Sequence, residues 1–199
     1  ISLSEDETTA LLSHPQRAYR ADADTILLSA LSGALGQWHG GNATRILLES
    51  HGREPFGDTR DLSRTVGWFT SIYPFTLRST ETDIRQAIRQ TKEDLRRIPR
   101  HGLTYGVAKY LSDSPPASGP SPALVFNYLG QLDAQSRGNM GEPSQFTFAE
   151  ESSGPVFGKR VRRQSDLELT AIVSSGRLHV SLTYHPGLHK DETVTAVLE

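Results

Sequence analysis

The sequence predicts an α/β fold, a mixed β-sheet flanked by helices, and three observations carry that expectation. Apolar residues at helical spacing, such as Leu27, Leu31, Ala34, Leu35 and Trp38, alternate along the chain with short β-like runs such as Arg45 to Glu49. The strongest period-two pattern comes last: Leu167, Leu169, Ala171 and Val173 face one way, Ser174-Ser175-Gly176 turns, and Leu178, Val180, Leu182 and Tyr184 alternate back. That is a hairpin with one buried face. Finally, 199 residues with 36% hydrophobic content suffice for one domain with a real core. Helices interleaved with strands and closing in a hairpin indicate a mixed sheet.

Each element has its own signal. Glu5 to Ser13 reads as a short helix that His14-Pro15 ends, because the residue before Pro is pushed out of the α region. Asp24 is the expected N-cap of the second helix, which is apolar on nearly every face and stops at Gly40-Gly41. The strand Arg45 to Glu49 delivers Glu49 and His51 to its end, where Gly52 permits an unusual backbone. A second β-like stretch runs from Val66 to Leu77, through Trp68, Phe69, Ile72, Tyr73 and Phe75. A helix start follows at Thr80 to Asp83, with Ile84, Ala87, Ile88, Leu95 and Ile98 as the apolar stripe and Pro99 as its end. Its Arg85, Arg89, Lys92, Arg96 and Arg97 read as a solvated face in preference to a surface that docks a partner. Tyr105 to Leu111 is a short helix, Ser112 to Pro122 a Pro-rich loop, Val125 to Leu129 a strand, and Asp133 to Gln145 a polar loop. A terminal helix begins near Lys190.

Composition excludes several classes of function. Lys and Arg number 21 against 23 Asp and Glu, so neither nucleic acid nor an anionic membrane surface is an expected partner. Cys is absent, which removes disulfides, thiolate metal sites and thiol nucleophiles and fits a reducing, cytoplasmic compartment. No apolar run approaches the roughly 20 residues that span a bilayer, and no signal-peptide pattern is present. The chain begins at Ile1 without Met, as an excised part of something longer would.

The richest polar cluster is Glu49-Ser50-His51-Gly52-Arg53-Glu54. Continued strand geometry puts Glu49, His51 and Arg53 on one side, joining an acid, an imidazole and a guanidinium. Glu49 can serve as a general base if burial raises its pKa to about 6–7, and Arg53 can stabilise a developing enolate oxygen. The roles conflict in part, since an adjacent Arg lowers a carboxylate's pKa. Spacing alone leaves proton transfer open beside an ordinary ion pair. Asn127 and Tyr128, before Gly130, either present polar groups to a cleft or include a core Tyr with a satisfied hydroxyl. His185 and His189 are separated by Pro186-Gly187, which favours a turn over a metal site. Phosphate loops, nucleophile elbows and dinucleotide fingerprints are missing.

The run from Leu48 to Glu54 resembles the Glu-Gly-His-Gly-Arg-Glu motif of the epimerization domains of nonribosomal peptide synthetases, with Ser50 where that family usually has Gly. Asp61-Leu62-Ser63-Arg64-Thr65-Val66-Gly67-Trp68-Phe69-Thr70-Ser71-Ile72-Tyr73-Pro74 is similar to the family's longest signature. Phe126-Asn127-Tyr128-Leu129-Gly130-Gln131 is similar to a third motif, and Leu169-Thr170-Ala171 to a fourth, in family order. The His-His-x-x-x-Asp-Gly motif of the family's N-terminal half occurs nowhere. The resemblance therefore implies that residues 1–199 form the C-terminal lobe of the chloramphenicol acetyltransferase-like condensation-domain fold, inactive by itself. It implies an isomerase that converts an L-aminoacyl or peptidyl thioester to the D form with no cofactor of its own, the substrate riding on the phosphopantetheine of a carrier protein. Glu49 and Tyr128 are the implied catalytic residues, and His51, Arg53 and Asn127 line the site, with no metal. The implied partners are that carrier protein, the N-terminal subdomain and neighbouring synthetase domains. The matching half of a condensation domain and a noncatalytic docking piece are the rival readings.

Overall fold

In a computed structural model of the chain, residues 1–53, 61–79, 83–116, 119, 122–132, 154 and 165–199 are described. Helix α1 (Glu5–Tyr19) starts at a capping box, in which the Ser4 hydroxyl accepts from the Glu7 N–H and the Glu7 carboxylate accepts from the Ser4 N–H. The helix does not stop at His14. Pro15 lies inside it, because packing of Leu11, Leu12 and Tyr19 against the interior outweighs the one backbone hydrogen bond that proline forfeits. The end comes at Arg20, which takes the left-handed conformation at φ 49°.

Helix α2 (Ala23–His39) is the central helix. Its N-cap is Asp22 rather than Asp24, which sits within the first turn, and Gly40 closes the other end at φ 66° with its N–H on the Gly36 carbonyl. The expectation that most of its faces are buried holds, and its two buried serines stay satisfied by donating back to the helix, Ser29 to the Thr25 carbonyl and Ser32 to that of Ser29.

Strands β1 (Ala43–Ser50), β2 (Ser71–Arg78), β3 (Leu124–Gln131), β4 (Leu167–Ser174) and β5 (Arg177–Tyr184) form one sheet in the order β2-β1-β3-β4-β5. Pairing is antiparallel at both ends and parallel for β1/β3 and β3/β4, so the mixed α/β expectation is met. The hairpin is the one the alternation predicts: Leu167, Leu169, Ala171 and Val173 oppose Tyr184, Leu182, Val180 and Leu178 on the core face. Ser175 and Gly176, both at positive φ, make its two-residue turn. Residues 1–3 lie along the outer side of β5, with Leu3 N–H on the Leu178 carbonyl and Val180 N–H on the Ile1 carbonyl. Strand β2, in which Pro74 opposes Leu47, stands at the other end of the sheet.

The second β-like stretch is shorter than expected. Val66 to Thr70 are not strand, and Val66 and Trp68 are 99% and 92% exposed. Helix α3 (Ile84–Arg96) starts at Asp83, whose carboxylate caps the Arg85 N–H. Its first residue, Ile84, is exposed rather than part of the buried stripe, because Ala87, Ile88 and Thr91 form the face that packs. A 3-10 turn (Pro99–Gly102) leads into α4 (Leu103–Leu111), and α5 (Asp191–Leu198) closes the chain. The expectations for Glu54, Thr80 and the polar loop 133–145 lie outside the described residues.

One core holds the layers together. Leu28, Leu31 and Leu35 of α2 pack on Ile46, Leu48, Phe75, Phe126 and Leu169, with Leu95 of α3 and Tyr105 of α4 against the same face. We expect Leu28→Ala, at a site 1% exposed, to cost about 2–5 kcal/mol, and Ile84→Ala, at a site 56% exposed, less than about 0.5 kcal/mol. Urea unfolding midpoints of the two variants check this, and equal losses would contradict the packing face assigned to α3.

A polarised site at the end of the parallel strands

The parallel strands β1 and β3 end side by side, and their register places Leu48 opposite Phe126. The next position on each strand turns to the other sheet face, where no described helix packs. There the Asn127 amide donates to the Glu49 carboxylate at 2.6 Å. Glu168 on β4, opposite Val125, shares this face. Burial is the larger cause that pushes the Glu49 carboxyl above the ordinary range, the negative charge of Glu168 adds to it, and the Asn127 hydrogen bond works against both.

Arg53 does not join Glu49. Strand geometry ends at Ser50, and Gly52 at φ 66° redirects the chain, so the alternation expected to bring residues 49, 51 and 53 to one side is lost. No other residue fits there, since a Cβ on Gly52 would lie 1.6 Å from the Phe69 carbonyl oxygen. The Arg53 guanidinium donates to the Leu62 carbonyl and lies 4.3 Å from the centre of the Phe69 ring. It thereby ties down the segment leading to β2 and leaves the Glu49 pKa free to rise. The exposed His51 accepts the Arg53 N–H on Nδ1 at 3.0 Å. Ser50 is the last residue of β1, in register with Ser71 and outside the left-handed region, so its side chain adds no strain.

Around the strand ends lies an open cavity of about 780 Å³ lined by Asp24, Glu49, His51, Tyr73 and Tyr128 among others. Glu49 and Tyr128 both border it. Asn127 reaches the site through Glu49, and Arg53 through the backbone beside His51. Asp24 is the residue that sequence reasoning missed as a site group. It is exposed at the cavity, yet the surrounding walls strip enough of its hydration to raise its pKa, with Asp22 adding to the rise and His101 and His51 opposing it. The available signal was the pair Asp22 and Asp24 ahead of one apolar helix, which needs only one cap. Burial, and secondarily Asp24, push the Tyr73 hydroxyl up to about 12 and raise that of Tyr128. Both phenols are therefore proton donors at neutral pH. His185 and His189 belong to a turn, the first accepting the Gly187 N–H and the second stacking edge-on to Trp38.

A carboxyl whose folded pKa is raised destabilises the fold above that pKa, and the penalty disappears as pH falls through it. Glu49→Gln keeps an acceptor for Asn127 and removes the charge. Because Glu49 is only half-buried, screening limits the gain to below about 1 kcal/mol, so melting temperature should rise by up to about 3 °C at pH 8 and not at pH 4. Thermal unfolding at the two pH values checks it; an equal shift at both would mean that Glu49 charge is not the cause.

The condensation domain family model matches residues 1–199. Bacitracin synthase 3 of Bacillus licheniformis is 42% identical over 196 residues, which is 98% of this chain and 3% of that protein. A linear gramicidin synthase of Brevibacillus parabrevis is 41% identical over 203 residues, 100% of this chain and 4% of that protein. The chain thus spans a few per cent of the length of these relatives. Among solved structures, the epimerization domain from the third module of tyrocidine synthetase B superposes with a TM-score of 0.88 at 34% identity, covering 100% of this chain and 44% of that one. The first condensation domain of the CDA synthetase, at 14% identity and a TM-score of 0.60, shares the fold. With its whole length matched and its sheet and flanking helices those of a condensation-fold lobe, the chain belongs to the condensation domain family.

Proposed function

We propose that the chain is the C-terminal half of an epimerization domain of a nonribosomal peptide synthetase and supplies one wall of its active site. The observation that carries this reading is Glu49: a carboxyl with a raised pKa, oriented by Asn127, at the cavity formed where the parallel strands end. An α-proton next to a thioester is acidic enough for such a group to remove. The C–H electron pair passes into the enolate, the proton goes to Glu49 or to an opposing base, and return of a proton to the other face by the opposite group, acting as an acid, inverts the centre. The opposing group comes from the N-terminal half, because the sequence holds no His-His-x-x-x-Asp-Gly motif. Tyr128, with its proton retained, is the hydroxyl that faces the developing charge, while His51 and Arg53 shape the loop. Likeness at 34% identity to an epimerization domain, against 14% to a condensation domain, favours isomerisation over amide formation.

The partners follow from the same surfaces. Val66 and Trp68 stand fully exposed on the segment that Arg53 holds, beside the end of the sheet that bears Glu49. Large apolar side chains so displayed mark an interface, here with the N-terminal half. The substrate arrives as a thioester on the phosphopantetheine of a carrier protein from a neighbouring part of the synthetase, so no resident cofactor is required. No described helix is long and apolar enough to cross a membrane; a cytoplasmic setting suits the biosynthetic role.

The test joins this chain to an N-terminal half and loads an L-aminoacyl carrier protein in deuterated water. Uptake of α-deuterium is expected, falling by about 10²–10⁴-fold in Glu49→Gln and less in Tyr128→Phe. Undiminished uptake in Glu49→Gln would remove Glu49 from the chemistry, and a new amide product would establish the condensation reading. Pairing should also shift the emission of Trp68 to the blue, a change absent from Trp68→Ala; if emission does not move, the exposed segment is not the interface.

A further inference from the structure

Among the described residues, three histidines close turns of one kind. His39, His51 and His185 each accept on Nδ1 the backbone N–H two residues on, from Gly41, Arg53 and Gly187, all at 3.0 Å. A ring nitrogen that accepts carries no proton, so the hydrogen of each ring sits on Nε2. His39 shows what that leaves the ring to do, since its Nε2 lies 2.6 Å from the Thr44 hydroxyl. Of the three, only His51 lines the cavity at the strand ends.

The turn at His51 is built into the backbone. Strand β1 ends at Ser50, Gly52 at φ 66° brings the Arg53 N–H back to the ring, and the Phe69 carbonyl leaves no room for a larger residue at that glycine. The bond that shapes the loop therefore also fixes the tautomer of the ring. A neutral ring suits the neighbouring acid as well: burial raises the Asp24 pKa, and a positive charge on His51 would oppose that rise. Tyr128, whose hydroxyl keeps its proton, borders the same cavity. Two neutral donors, an O–H and an N–H, thus stand with the Glu49 carboxyl around one space.

We infer that His51 is a catalytic residue in its own right: its Nε2–H, fixed by the Arg53 N–H on Nδ1, hydrogen-bonds the thioester oxygen on which the enolate charge collects, as a second donor beside Tyr128. The inference rests on the proposed function for the reaction. The electrons of the broken C–H bond end on that oxygen, the α-proton leaves with Glu49 or the opposing group, and the His51 proton stays on its nitrogen, so the ring is unchanged by turnover. A neutral imidazole N–H fits this task because it stabilises developing charge without surrendering its proton and forms no ion pair with the carboxyls beside it.

Nitrogen-15 spectra of the full chain with labelled histidine rings, at pH 8, should show the hydrogen of His51 on Nε2; the opposite tautomer would overturn the assignment whatever the reaction. Deuterium uptake by the joined domain, with melting temperature measured in parallel, tests the role. His51→Asn keeps the turn, because its side-chain carbonyl accepts the N–H two residues on, and removes the Nε2 donor. Its melting temperature should match the parent's while uptake falls by about 10²-fold. His51→Gln loses the turn acceptor but carries an N–H to the place of Nε2, so it should melt lower and yet keep uptake within about tenfold of the parent. A role in loop shape alone predicts the reverse order, so undiminished uptake in His51→Asn, or equal loss in both variants, would overturn the donor. A parent that exchanges alongside an equally active His51→Asn removes His51 and leaves Glu49 in place. A parent that takes up no deuterium removes the proposed function, and this donor with it.

Discussion

The parallel pairing of β1 with β3 is the constraint on which the rest depends. Three residue pairs, Ile46 with Leu124, Leu47 with Val125 and Leu48 with Phe126, set the register. That register puts Ile46, Leu48, Leu124 and Phe126 on one face, where α2 buries them. The same register sends the following residues, Glu49 and Asn127, to the opposite face at hydrogen-bonding distance. A slip of one residue would bury the carboxyl under α2 and expose the leucines. Core and site are thus specified by one ladder, and neither can drift without the other.

Much of this was legible in the sequence, for physical reasons that differ by element. The β4/β5 hairpin was readable because one face is dry and the other wet, so period two survives in the residue types. Helix α2 was readable because Gly40 is a stop that few other residues can make. The end of α1 was not, because the local preference of His14-Pro15 was overridden by packing of Leu11 and Tyr19, which no local rule contains. The site was half readable. Glu49 and Asn127 were identifiable by motif, but their meeting at 2.6 Å across adjacent strands depends on pairing. The grouping of Glu49, His51 and Arg53 failed at one residue, Gly52, whose positive φ ended the alternation. Asp24 was hidden by a plausible second job at the N-cap, the position that Asp22 occupies instead.

The electrostatic pattern follows from how each acid is partnered. Burial first, and the carboxylate of Glu168 second, weaken Glu49 as an acid, and a neutral amide, Asn127, is the hydrogen-bond partner that opposes them. Had Arg53 reached Glu49, the pair would be a stable carboxylate with little appetite for protons. By placing Arg53 on Leu62 and Phe69, the fold keeps its cation in a structural role and away from the Glu49 carboxyl.

Residues 1–3 along β5 and Pro74 in β2 bear on how the molecule can associate. An open sheet ordinarily invites another chain to add a strand at either side. Here the β5 side already bonds to the backbone of the first residues, and on the β2 side Pro74 lacks the N–H that a new ladder needs. Strand addition is disfavoured at both margins, which protects the sheet from edge-to-edge pairing with another chain. Side-chain contacts, rather than an added strand, are what the margins of the sheet leave for association.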